Sequence, residues 1–104
     1  IQQHVFGPIC SSCHYSYGGS IPALDAAEIS YAELVNVESY FCSNGVGGWA
    51  KRVEPLQPDG SCLVMVIEGA QGAGGLFMPP SPMRPLSQDE IDAIREWITR
   101  GANP

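Results

Sequence analysis

The densest group of reactive side chains in this chain is the run Cys10-Ser11-Ser12-Cys13-His14. Two cysteines separated by two residues and followed at once by histidine form the C-x-x-C-H pattern that holds a c-type haem covalently. The spacing suits this chemistry because thiols that add across both vinyl groups of a haem must reach one porphyrin edge. The adjacent imidazole then lies under the iron as an axial ligand. We therefore expect one haem c, attached through Cys10 and Cys13 and ligated by His14.

Two other chemistries share the C-x-x-C pattern and fit this sequence less well. A thioredoxin-like redox motif requires a βαβ context, and no strand pattern surrounds Cys10. A zinc site requires a second ligand pair at short spacing, whereas Cys42 and Cys62 are lone cysteines. Haem attachment is therefore the favoured prediction.

Cys42 and Cys62 form an even remainder once the first two cysteines are assigned to haem. We expect a disulfide between them, which by loop entropy would stabilise the fold by roughly 3 kcal/mol. Such a bond persists only in an oxidising compartment, so it predicts an exported protein. The alternative is a pair of buried thiols that pack as small apolar groups.

The coordination position of the haem iron opposite His14 decides between electron transfer and small-molecule chemistry. In an electron carrier this position is filled by a second protein ligand. The candidate sixth ligands are Met65, Met78, Met83 and His4. Met78 is favoured because it follows a glycine run and precedes two prolines, which allow close approach and fix the backbone. Met83 has similarly proline-rich surroundings and stays open. Met65 falls in an apolar helical pattern that suits a core residue, and an exposed or capping role suits His4.

The pattern of the chain predicts short helices joined by long loops. The first nine residues indicate a helix or turn that carries Val5, Phe6 and Ile9 toward the haem edge. A second helix is predicted to start at Ser30, with Asp25 as a competing start. A third is predicted to begin at Ser61. No segment alternates apolar and polar residues long enough to predict a strand, so the fold class expected is all-α.

The C-terminal helix has the strongest sequence signature. Ser87 is the expected N-cap and Glu90 completes a capping box, while Gly101 suits the C-terminal position that needs positive φ. One apolar stripe follows helical spacing, formed by Ile91, Ile94, Trp97 and Ile98.

Length, charge and hydrophobicity limit the domain organisation and the classes of partner that the sequence predicts. A chain of 104 residues predicts a single domain spanning 1–104. The formal net charge of −6 argues against nucleic acid, and no apolar run approaches the roughly 20 residues that span a bilayer. The chain begins at Ile1 rather than Met, which suggests a mature exported protein or an excised domain.

The chain resembles the small monohaem bacterial cytochromes c of class I type. The resemblance rests on Cys10-x-x-Cys13-His14, on the Met78-Pro79 loop, and on the ending PLSQDEIDAIREWITRGA. Mid-chain segments that also resemble the family are Tyr31 to Val37 followed by Ser39, Val53-Glu54-Pro55 and Ser61-x-Leu63. The Cys42/Cys62 pair and the stretch from Asn44 to Trp49 depart from it. The resemblance implies an all-α cytochrome c fold of short helices and long loops, His14/Met78 ligation, and electron transfer in the bacterial periplasm.

The expected function is therefore that of an electron carrier rather than an enzyme. Its partners would be redox proteins, without nucleic acid, a membrane span or a small-molecule substrate. Trp49 and Arg52 are candidate contacts for the haem propionates, with Lys51 and Arg84 as further cations. Two alternatives remain: a haem domain of a larger oxidoreductase, and a haem sensor or peroxidase with an open sixth site.

Overall fold

The computed structural model describes residues 1–104, and the chain divides into two units. The first unit comprises Ile1–Leu34 with Pro104, and the second comprises Val35–Asn103. The expectation of one domain over 1–104 stays a prediction.

The first unit contains two short turns of helix and one α-helix. A π-helical turn spans Gln2–Phe6, a 3-10 turn spans Cys10–Ser12, and helix α1 spans Ala27–Leu34. The buried apolar residues of this unit are Val5, Phe6, Leu24 and Leu34. The expected N-terminal turn is confirmed, with Val5 and Phe6 buried and Ile9 half-buried, whereas their placement toward a haem edge stays a prediction.

Helix α1 begins before Ser30, near the competing start at Asp25. The amide of Ser30 donates to the carbonyl of Ala26 at 2.8 Å, so Ser30 already lies inside the helix. Its buried hydroxyl donates to Gln2 Oε1 at 2.6 Å. The prediction of a cap at Ser30 is therefore wrong, because this hydroxyl serves a tertiary contact rather than the helix end.

The second unit combines a β-hairpin with two α-helices. Its regular elements are strand β1 (Glu38–Ser43), strand β2 (Trp49–Lys51), helix α2 (Cys62–Glu68) and helix α3 (Gln88–Thr99), with 3-10 turns at Pro58–Gly60 and Gln71–Ala73. The residues of this unit that are almost completely buried include Val53, Val64, Ile94 and Ile98. Because β1 and β2 pair antiparallel, the molecule is mixed α/β, and the expectation of an all-α cytochrome c fold is wrong.

The β-hairpin cannot be predicted from an alternation of apolar and polar residues. Only Cys42 of the six residues in β1 is buried, so the strand has no apolar alternation to detect. Pairing is also irregular, since Glu38 lies opposite Lys51 while Ser43 lies opposite Trp49. The strands are joined by a loop that begins at Asn44.

The side chain of Asn44 organises the hairpin loop. Its Oδ1 accepts from the amides of Val46 at 2.9 Å and Gly48 at 3.0 Å, in the manner of an Asx turn. The Asn44-Gly45 pair is thus the sequence signal that could have indicated a hairpin.

The C-terminal helix α3 follows its prediction closely. Ser87 Oγ accepts from the amide of Glu90, and the Glu90 carboxylate accepts from the amide of Ser87, which completes the capping box. Gly101 has φ of 110°, as its position requires. A hydrogen-bonded ion pair with Arg84 lowers the pKa of Glu90 from 4.5 to about 2. Helix α2 likewise begins directly after Ser61, as expected.

Arg95 ties α3 to two other elements of the second unit. Its Nε and Nη2 donate to the two carboxylate oxygens of Glu68 at 2.7 and 2.8 Å, and Nη2 lies 2.9 Å from Asp59 Oδ1. The Glu68 hydrogen bond, opposed in part by burial, raises the pKa of Arg95 above its ordinary value. A two-pronged guanidinium–carboxylate contact of this kind fixes the orientation of both partners.

A disulfide joins Cys42 of β1 to Cys62 at the start of α2, as expected from the sequence. The two Cα atoms lie 5.5 Å apart, within the usual range for this bond. Cys42 is completely buried and Cys62 nearly so. The bridge therefore lies inside the second unit, where it links the sheet to a helix.

Candidate functional site

The C-x-x-C-H residues lie on one turn of the first unit. The amide of His14 donates to the carbonyl of Cys10 at 2.9 Å, which closes the turn over the two serines. Cys13 is exposed and Cys10 partly exposed, and neither belongs to a disulfide. Both sulfur atoms are therefore on a surface segment that a prosthetic group could reach.

The imidazole of His14 is held by a backbone carbonyl. Its Nδ1 lies 2.8 Å from the oxygen of Pro22, and the ring is partly buried. Because a carbonyl oxygen only accepts hydrogen bonds, Nδ1 carries the proton. The lone pair of the neutral ring is then on Nε2, the nitrogen that remains for a metal.

The Pro22 carbonyl is presented by a closed loop that runs from His14 to Asp25. The loop returns to its starting point, because the amide of Leu24 donates to the carbonyl of His14 at 2.9 Å. The amide of Ser20 donates to the carbonyl of Cys13 at 2.8 Å. These backbone bonds fold residues 14–25 back onto the motif itself.

Gly19 allows the loop to approach the motif closely. A Cβ at this position would lie 2.6 Å from the Tyr15 oxygen, 2.7 Å from the Tyr15 nitrogen and 2.8 Å from the Cys13 oxygen. Side chains do not tolerate such distances to backbone atoms, so only glycine fits here.

Asp25 closes the loop with its side chain. Its Oδ2 accepts from the amide of Ser16 and its Oδ1 from the hydroxyl of Ser16, both at 3.1 Å. The backbone hydrogen bond from Ser16 is the main reason that the pKa of Asp25 is lowered. The ionised carboxylate is thus the form that suits this contact.

Two further side chains of the first unit hold the end of the loop. Glu33 of α1 accepts from the amide of Ala23 at 3.1 Å, and Gln2 donates to the carbonyl of Leu24 at 2.9 Å. The two residues that follow Pro22 are therefore anchored to α1 and to the N-terminal turn.

These residues fit a covalently attached haem. The motif offers two thiols outside any disulfide and an imidazole whose Nδ1 proton is fixed by a carbonyl. A zinc site is disfavoured because Cys42 and Cys62 bond to one another and cannot supply thiolates. No cluster of three or more histidine, cysteine or acidic side chains is arranged for a chelated metal ion. That finding does not bear on a c-type haem, which takes a single nitrogen from its motif.

The four candidate sixth ligands occupy different environments. Met78 is partly buried, and its amide donates to the carbonyl of Val66 in α2 at 2.9 Å. Met83 is 38% exposed and His4 is exposed. Met65 lies on α2, partly rather than fully buried. The assignment of Met78 stays a prediction.

The predicted propionate contacts both lie in the second unit. The indole of Trp49 is 49% exposed on β2, where it lines a surface cleft of about 350 Å³ together with Lys51 and Glu54. Arg52 directly follows β2, and its amide donates to the carbonyl of Val37, which directly precedes β1, at 2.6 Å. This hydrogen bond joins the two chain segments that flank the hairpin. Their role as propionate donors stays a prediction.

Sequence reasoning missed the closed loop as part of the site. The glycines and Pro22 indicate a loop over residues 15–22, and Asp25 is a competing helix start, but side-chain types assign neither Asp25 nor the Pro22 carbonyl to the site. A carbonyl group is common to all residues, so side-chain types cannot reveal which one contacts His14. A weak signal existed in Ser16 and Asp25, which favour local hydrogen bonds to the backbone.

Comparison with protein families, curated proteins and solved structures gives no match. The resemblance to monohaem cytochromes c therefore rests on motifs in this chain and stays a prediction. None of the helices has both the length and the apolar run that crossing a bilayer requires.

Proposed function

We propose that this chain carries one haem c, attached through Cys10 and Cys13 with His14 as axial ligand, and transfers single electrons between redox proteins. The observation that supports this most is the contact between His14 Nδ1 and the Pro22 oxygen at 2.8 Å. It leaves Nε2 as the metal-binding nitrogen directly after two thiols of suitable spacing. The disulfide between Cys42 and Cys62 is consistent with an exported protein in an oxidising compartment.

Each residue of the site has a distinct role in this proposal. The haem iron supplies one-electron redox chemistry when bound. Cys10 and Cys13 hold the macrocycle covalently, so that it cannot dissociate. His14 supplies Nε2, and the Pro22 carbonyl keeps the proton on Nδ1 and orients the ring. Because the carbonyl also increases the electron donation of the imidazole, this contact influences the reduction potential.

The proposal includes Met78 as the second axial ligand. Its thioether, together with the His14 imidazole, would favour the reduced state of the haem and would close the site to small molecules. Proline residues follow Met78, and its own amide is anchored to α2, so its backbone is well fixed.

Absorption spectra of the oxidised and reduced protein test this assignment. The chain should be exported in a bacterial host that attaches c-type haem. A weak far-red band from methionine bound to ferric iron is expected, and Met78→Ala should abolish it while Met83→Ala leaves it unchanged. A high-spin ferrous spectrum that changes promptly with carbon monoxide would contradict the closed site and favour a sensor or peroxidase.

A further inference from the structure

We propose that Asp25 is a positioning residue for His14, acting through the closed loop rather than by contact. Its carboxylate clamps Ser16, and the clamp keeps the Pro22 carbonyl on His14 Nδ1. This inference rests on the proposed function, because it assigns a role to a residue outside the C-x-x-C-H motif.

The geometry supports the clamp in two steps. Asp25 contacts both the amide and the hydroxyl of Ser16 at 3.1 Å, so two hydrogen bonds to a single residue close the loop. Ser16 lies two residues after His14, and Asp25 lies three residues after Pro22. The clamp therefore joins the segment that carries the imidazole to the segment that carries its acceptor.

The remaining contacts of the loop do not replace this clamp. The backbone bonds from Leu24 to His14 and from Ser20 to Cys13 fix the two ends of the loop, whereas residues 15–18 between them are held by the two hydrogen bonds from Ser16 to Asp25. Tyr17 is fully exposed and adopts a positive φ of 61°, so this part of the loop has little packing to hold it. Without Asp25, the loop is expected to open and the Pro22 contact to become intermittent.

The direct measurement is the exchange of the His14 Nδ1 proton with solvent, followed by NMR in the reduced haem-loaded protein. This proton is protected only while the Pro22 bond is formed. Asp25→Ala should raise its exchange rate five-fold or more. Asp25→Asn keeps one acceptor oxygen and should raise the rate less.

Glu28→Ala is the matched control for charge. Glu28 is an exposed carboxylate on α1 without a hydrogen bond or ion pair to the loop, and its removal changes the net charge by the same amount. The Nδ1 exchange rate in this variant should stay within two-fold of the wild type. The reduction potential provides a second readout: a weaker Nδ1 bond makes His14 a poorer donor, so Asp25→Ala should raise the potential more than Glu28→Ala.

The results of these experiments distinguish a failure of the positioning role from a failure of the proposed function. If the wild-type chain acquires no haem, the proposed function fails. If haem is attached but Asp25→Ala behaves as Glu28→Ala in both readouts, only the positioning role is refuted. Should Asp25→Ala not fold, Asp25→Asn and Ser16→Ala decide, since each weakens the clamp while keeping part of it. Exchange unchanged in both of these variants would overturn the proposal.

Discussion

Removal of the disulfide should cost this protein a large part of its stability. The variant Cys42→Ala/Cys62→Ala removes a bridge between residues separated by 20 positions. In the chain-entropy model, opening a loop of that length in the unfolded state lowers the free energy of unfolding by roughly 3 kcal/mol. Both sulfur atoms are buried, so their replacement by alanine removes packing contacts as well.

Urea unfolding followed by circular dichroism measures this loss. With a slope of roughly 1–3 kcal/mol per molar urea, a loss of 3 kcal/mol lowers the midpoint by about 1–3 M. A reducing agent should lower the wild-type midpoint in the same direction and leave the variant unchanged. A variant that loses less than about 1 kcal/mol would refute the reasoning, because the bridge would then not constrain the unfolded chain.

Three further predictions concern single residues. Arg95→Met should lower the free energy of unfolding by about 1–2 kcal/mol because it breaks a two-pronged, partly buried ion pair. As a control, Arg100→Ala removes an exposed ion pair on one helix and should lower the free energy of unfolding by less than about 0.5 kcal/mol. Equal losses in the two variants would contradict this prediction. Gly19→Ala should lower the free energy of unfolding by roughly 1–3 kcal/mol, because the added Cβ would overlap with backbone atoms. As a control, Gly60→Ala should leave the urea midpoint nearly unchanged, because its Cβ would lie at an ordinary 3.6 Å from Gln57. The pKa of Glu90 is lowered from 4.5 to about 2, so its contribution is complete above pH 4.5 and is lost as the pH falls towards 2. Glu90→Gln should therefore lose less stability than the wild type between these pH values, and an identical acid profile would count against the ion pair.

The sequence was most informative where local chemistry determines local structure. Helix α3 could be predicted because Ser87 and Glu90 form a capping box whose atoms lie within one turn, and an apolar stripe follows. The start of α2 after Ser61 and the positive φ of Gly101 are local features of the same kind.

The sequence was least informative where tertiary contacts decide. The β-hairpin was missed because its strands are short and mostly exposed, so burial leaves no alternating pattern. Ser30 looked like a cap because its neighbours fit one, yet its hydroxyl contacts Gln2, 28 residues away. The candidate site shows the same division: Cys10, Cys13 and His14 follow from a motif, whereas the Pro22 carbonyl follows from how the loop closes.

The central claim is that this chain binds haem covalently through its C-x-x-C-H motif. The most direct test is the intact mass of the protein exported by a bacterial host that attaches c-type haem, measured after denaturation. The account predicts a mass increase equal to one haem in the wild type and none in Cys10→Ala/Cys13→Ala, while Cys42→Ala/Cys62→Ala retains it. A wild-type mass equal to that of the polypeptide alone would contradict the account.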